Sequence, residues 1–81
     1  MTANPVNADT VLDVRGLKCP LPVLRANKAM KALAPGSTLE VMATDPAAPQ
    51  DFVSFCETTG HDLVESREQD GVFTLIVRKK A

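Results

Sequence analysis

The chain contains no tryptophan and no tyrosine, and three phenylalanines are its only aromatic residues. Platforms on which nucleotide bases could stack are therefore scarce, and stable nucleic-acid binding is not expected. One histidine, His61, leaves little material for a cysteine–histidine catalytic pair. The two cysteines, Cys19 and Cys56, stand far apart. They form neither a Cys-x-x-Cys redox motif nor a metal-ligand cluster, so neither a metal nor a cofactor is expected. No apolar run approaches the length needed to cross a membrane, and the first residues lack the basic and apolar regions of a signal peptide. The expected location is the cytoplasm, where a structural disulfide is not favoured.

What is present is one small domain's worth of sequence. An 81-residue chain buries roughly 60–65% of the surface its unfolded form exposes, which makes a thin core. Chemistry on such a domain belongs at the surface and uses few residues. The net charge of −1 conceals an asymmetry. Residues 1–34 carry five basic and two acidic side chains, whereas residues 35–81 carry four basic and eight acidic ones. A basic first half on an acidic chain suits an acidic partner surface better than a general polyanion.

Residues 1–9 are small and polar and read as a flexible tail, followed by one domain over residues 10–81. Val11 to Val14 is a short strand, ended by Gly16. From Pro20 the period becomes helical: Val23, Asn27, Met30 and Ala34, with Leu24 and Leu33 beside them, share a face, and Arg25, Lys28 and Lys31 form the opposite stripe. Pro35-Gly36 closes this helix. Thr38 to Ala43 alternates as a strand does. A proline-punctuated loop, Asp45 to Pro49, leads into a second helix in which Phe52, Phe55, Cys56 and Thr59 share a face and Gly60 caps the end. Leu63–Glu68 and Val72–Lys79 read as strands joined by a tight Asp70-Gly71 hairpin. The order βαβαββ predicts an α+β, two-layer sandwich: a four-stranded mixed sheet with both helices on one face.

The chemistry concentrates in Gly16-Leu17-Lys18-Cys19-Pro20-Leu21-Pro22, between the first strand and the first helix. Pro20 suits the first helical position, where a missing N–H costs nothing. Cys19 then lies at or beside the N-cap, at the positive end of the helix dipole and next to Lys18, with Arg15 and Arg25 near in sequence. This setting favours the thiolate, the form that attacks sulfur. Pro22 removes a further first-turn N–H, which argues against a phosphate nest, while the two prolines fix how the sulfur is presented.

The run Leu12-Asp13-Val14-Arg15-Gly16-Leu17-Lys18-Cys19-Pro20-Leu21-Pro22-Val23-Leu24 resembles the signature of the TusA (SirA-like) sulfur-carrier family, whose hallmark is Cys-Pro-x-Pro. The resemblance extends through Pro35-Gly36, Thr44-Asp45-Pro46-Ala47, Asp51, Phe55-Cys56, Gly60-His61 and the final hairpin. It implies that Cys19 accepts sulfane sulfur from a cysteine desulfurase or another persulfide donor, holds it as a persulfide and passes it to an acceptor protein. Acceptor pathways in the family include tRNA thiolation, molybdenum-cofactor sulfuration and sulfur oxidation. Leu21 stands at the variable motif position, where some tRNA-thiolation members carry an acidic residue.

Of the remaining candidates, Cys56 shares its helical face with two phenylalanines and is expected in the core, and His61 is expected as an exposed loop residue. Arg15, Arg25 and Lys28, close to Cys19, are candidates for partner docking. Two other readings stay open on sequence: a non-catalytic RNA- or regulator-binding module, and a thiol-redox protein cycling Cys19 with Cys56.

Overall fold

The computed structural model describes residues 9–80. The elements run β1 (Thr10–Val14), α1 (Leu21–Lys31), β2 (Thr38–Ala43), α2 (Ala48–Thr59), β3 (Asp62–Gln69) and β4 (Val72–Arg78). They form one four-stranded sheet of order β1-β2-β4-β3. β1 pairs parallel to β2, and β4 pairs antiparallel to both β2 and β3. β3 therefore runs parallel to β2 with β4 between them, and each helix is a crossover between parallel strands. Both helices pack on the same face and against each other. This is the α+β two-layer sandwich that the element order predicts.

Alternation explains the sheet. Leu39, Val41 and Ala43 of β2 are fully buried, as are Leu75 and Val77 of β4, while the residues between them face the other side. Against this floor α1 lays Ala26 and Met30, and α2 lays Ala48, Phe52, Phe55 and Cys56. Phe52 and Phe55 meet edge to face with ring centroids 6.0 Å apart, a favoured arrangement for aromatic pairs. Asp70 and Gly71 both take positive φ, at 53° and 80°, which gives the tight hairpin its primed turn. β3 carries a register shift between Leu63 and Glu65.

The helices depart from expectation in detail. α1 ends at Lys31, with Ala32 as its cap, and does not run to Pro35. The stripe it buries is Pro22, Ala26 and Met30; of the expected face Val23, Asn27, Met30 and Ala34, only Met30 is fully inside, with Val23 partly buried against the core. Small residues at Ala26 and Ala29 bring the helix close to the sheet, and Leu24 is left 56% exposed. Pro20 is the N-cap and Leu21 the first helical residue. Gly60, at φ 86°, caps α2 and returns its N–H to the Cys56 carbonyl at 2.8 Å.

The tail expected over residues 1–9 lies outside the described residues except for Asp9. Asp9 is tied to the start of β2: its N–H donates to the Thr38 carbonyl at 3.1 Å, and its carboxylate accepts from the Thr38 N–H at 2.9 Å. No helix among the described residues is long and apolar enough to cross a membrane.

Candidate functional site

Because β1 and β2 run parallel, the loops leaving them, β1–α1 and β2–α2, emerge at the same edge of the sheet. The helices that follow both begin there. The β1–α1 loop turns back on itself twice. Leu17 N–H donates to the Val14 carbonyl at 3.2 Å, and Leu21 N–H to the Lys18 carbonyl at 2.8 Å. The second turn lifts Cys19 and Pro20 out of the helix and leaves Cys19 exposed one residue before the N-cap. The Cys19–Pro20 peptide bond is cis. Pro22 sits in the first turn of α1 and is buried.

Two hydrogen bonds fasten this loop to its neighbour. Gly16 N–H donates to the Thr44 hydroxyl at 2.9 Å, and Cys19 N–H donates to Asp45 Oδ2 at 3.2 Å. Gly16 holds φ at +82°, a value that suits glycine. From α2, the Asp51 carboxylate faces the Cys19 sulfur. The sulfur and one oxygen from each of Asp45 and Asp51 all lie within 4.8 Å of one another. Beyond them a groove of about 420 Å³ opens between the helices, lined by Cys19, Val23, Asn27, Asp51, Phe55 and Thr58 among others.

This geometry reverses the electrostatic expectation at Cys19. The Asp51 carboxylate beside the exposed sulfur first, then some desolvation and the charges of Asp51 and Asp45, push the thiol above its ordinary value. A helix start contributes roughly half a positive charge, and two full negative charges within 4.8 Å outweigh it. Arg15, expected to add to a positive field, is bound instead to Asp13: its Nε and Nη2 donate to the carboxylate at 2.9 Å each. That guanidinium holds the Asp13 carboxyl down at about 2. Lys18, Arg25 and Lys28 are exposed.

The remaining candidates separate from the site. Cys56 is 7% exposed and packs in the core. Burial first, and the Asp62 charge second, push its thiol up to about 11. His61 is half-buried, not a free loop side chain. Its ring lies 5.7 Å from that of Phe55, and Nδ1 accepts the Lys80 N–H at 3.1 Å. Burial, with Lys80 and Lys79 nearby, keeps its pKa below the ordinary value. A thiol and two carboxylates are donors that a divalent cation could use. Here the Asp45 carboxylate already accepts the Cys19 N–H.

Asp45 and Asp51 are the residues beside the sulfur that the local reading of the motif misses. The signal for them is topological: parallel β1 and β2 bring their following loops to one edge, so acids at the start of α2 face a cysteine at the start of α1.

Comparison with known proteins gives the family and agrees with the fold. The sequence model of the family described as sulfurtransferase TusA matches residues 10–79. A candidate sulfur carrier protein of Neisseria meningitidis serogroup A is 57% identical over 75 residues, covering 93% of this chain and 100% of the relative. The sulfur carrier protein TusA of Allochromatium vinosum is 46% identical over 71 residues, 88% of this chain and 93% of that one. Among solved structures, a SirA-like protein from Desulfitobacterium hafniense superposes with a TM-score of 0.79 at 28% identity, over 89% of this chain and 99% of the other.

Proposed function

The chain belongs to the TusA sulfurtransferase family, and from that membership together with the setting of Cys19 we propose that it is a sulfur carrier. Cys19 accepts the outer sulfur of a donor persulfide, holds it as Cys19–S–SH and yields it to the thiol of an acceptor protein. The observation that carries this reading is the placement of one exposed thiol at the mouth of a groove between two helix starts, while the second thiol is buried. A persulfide on such a thiol is open to a partner's sulfur, and each transfer is a thiol exchange that needs no cofactor.

The donor in this reading is a cysteine desulfurase or another persulfide-bearing protein. The acceptor serves tRNA thiolation, molybdenum-cofactor sulfuration or sulfur oxidation. The exchange belongs in the cytoplasm, where thiols stay reduced. Arg25, Lys28 and Lys31 form an exposed basic stripe along α1, suited to docking an acidic partner surface. Arg15 adds less to that surface, because its charge is matched by Asp13.

Mass spectrometry tests the reading. The chain incubated with a charged cysteine desulfurase, and separately with glutathione persulfide, gains the mass of one sulfur atom, and reductant removes it. The Cys19→Ser variant gains none. A gain that survives Cys19→Ser, or no gain from either donor, overturns the assignment.

A further inference from the structure

Resting on the reading of Cys19 as the sulfur-bearing atom, we propose that Asp51 is a guard on that atom: its carboxylate, within 4.8 Å of the sulfur, opposes negative charge there, so that exchange waits for a partner that brings a cationic side chain to the groove. The argument is geometric first. Of the two carboxylates within 4.8 Å of the sulfur, Asp45 is engaged by the Cys19 backbone N–H. Asp51, from α2, lines the groove with Cys19 and turns its carboxylate to the sulfur. The charges acting on the sulfur are those of Asp51 and Asp45, from α2 and the loop before it. On the β1–α1 loop, Arg15 is bound to Asp13 and the Lys18 side chain is exposed. The local field therefore favours the neutral thiol, which is a poor nucleophile.

The consequence follows from the exchange itself. The Cys19 sulfur attacks the outer sulfur of the donor persulfide, and a bond forms between them as the donor's S–S bond breaks. The electron pair leaves on the donor's inner sulfur, which also ends with the proton that Cys19 gives up. Cys19 is oxidised from thiol to persulfide and the donor is reduced from persulfide to thiol, so no further oxidant is required. The proton must leave Cys19 before or during the attack, and two unneutralised carboxylates oppose that departure. A cation placed against Asp51 removes much of the opposition. Small persulfides and peroxides that bring no cation react with the guarded sulfur more slowly, though not to zero extent.

Alkylation of Cys19 by iodoacetamide, a neutral probe, measured against pH, decides the matter. In Asp51→Asn the midpoint of the rate profile moves to lower pH, and the rate at neutral pH rises about threefold or more, equivalent to about half a pKa unit. Asp51→Glu, which keeps the charge, stays close to the parent profile. The preference for cationic bromoethylamine over anionic iodoacetate falls in Asp51→Asn. In the unsubstituted chain, added salt speeds iodoacetamide alkylation because the two half-buried carboxylates still reach solvent and are partly screened, and this measurement needs no variant to fold. A profile that is unchanged or moved to higher pH in folded Asp51→Asn, or a parent rate indifferent to salt, overturns the guard. If neither protein gains sulfur from a charged cysteine desulfurase or from glutathione persulfide, the carrier reading fails, while the alkylation profiles still decide the role of Asp51.

Discussion

Asp45 Oδ2 accepts the backbone N–H of Cys19 at 3.2 Å, so a side chain of the β2–α2 loop holds the main chain of the β1–α1 loop at the residue that carries the chemistry. With the Gly16–Thr44 bond beside it, this contact fixes where the sulfur stands relative to α2 and the groove.

Removing that tether loosens the loop without emptying the core. Asp45→Ala costs about 1 kcal/mol of stability, the usual worth of one hydrogen bond. Its specific mark is faster amide hydrogen exchange at Cys19, with the exchange rates of β2 and β4 changed only in proportion to the global loss.

The core is less forgiving. Phe52 is fully buried at the centre of the helix layer, and Phe52→Ala costs about 3–5 kcal/mol. A chain of 81 residues has about 4–12 kcal/mol to lose. Urea unfolding finds the variant's midpoint at a much lower urea concentration than the parent's.

Cys56 gives a check on the redox alternative. Burial raises its thiol to about 11, so at pH 8 iodoacetamide modifies Cys19 alone in the native chain and reaches Cys56 only in denaturant. Mild oxidation yields no intramolecular Cys19–Cys56 disulfide, as peptide mapping reads directly.

His61 sets an acid limb. Its folded pKa is lowered from 6.5, so folding favours the neutral ring. That contribution is present above the unfolded value and is lost as pH falls through the lowered folded value. The urea midpoint of the parent therefore drops between pH 7.5 and pH 5 more steeply than that of His61→Gln.

Gly60 ends α2 at φ 86°, a conformation that disfavours any residue with a Cβ. An added Cβ meets Lys80 Cδ at 3.3 Å, a contact the flexible lysine can relieve. The backbone term remains, and Gly60→Ala lowers stability by about 1–2 kcal/mol in thermal unfolding.

These residues also show what could be read from the sequence. Asp70-Gly71, Gly60 and the alternation of β2 and β4 act through local backbone preferences, which a linear reading captures. Cys19 was legible because prolines on its C-terminal side mark a helix start. The buried face of α1 was not, because Ala26 is inside for its small size while Leu24, the more hydrophobic residue, stays outside. The sign of the field at Cys19 was hidden for another reason. Lys18 and Arg15 are its neighbours in sequence, but Asp45 and Asp51 are the charges that reach it in space. Only the parallel arrangement of β1 and β2 brings those acids there.

The stitching of the two loops has a consequence for how such a chain can vary. At both stitches the β1–α1 loop contributes a backbone N–H and the β2–α2 loop contributes a side chain. A main-chain amide is the same whatever residue bears it, so the identity of position 19 is decoupled from the anchoring of its own loop. Selection can settle that position on chemistry alone, and the burden of keeping the loop in place passes to Thr44 and Asp45. Serine or alanine at position 19 should thus leave the loop standing, a blank that reports on sulfur and on nothing else.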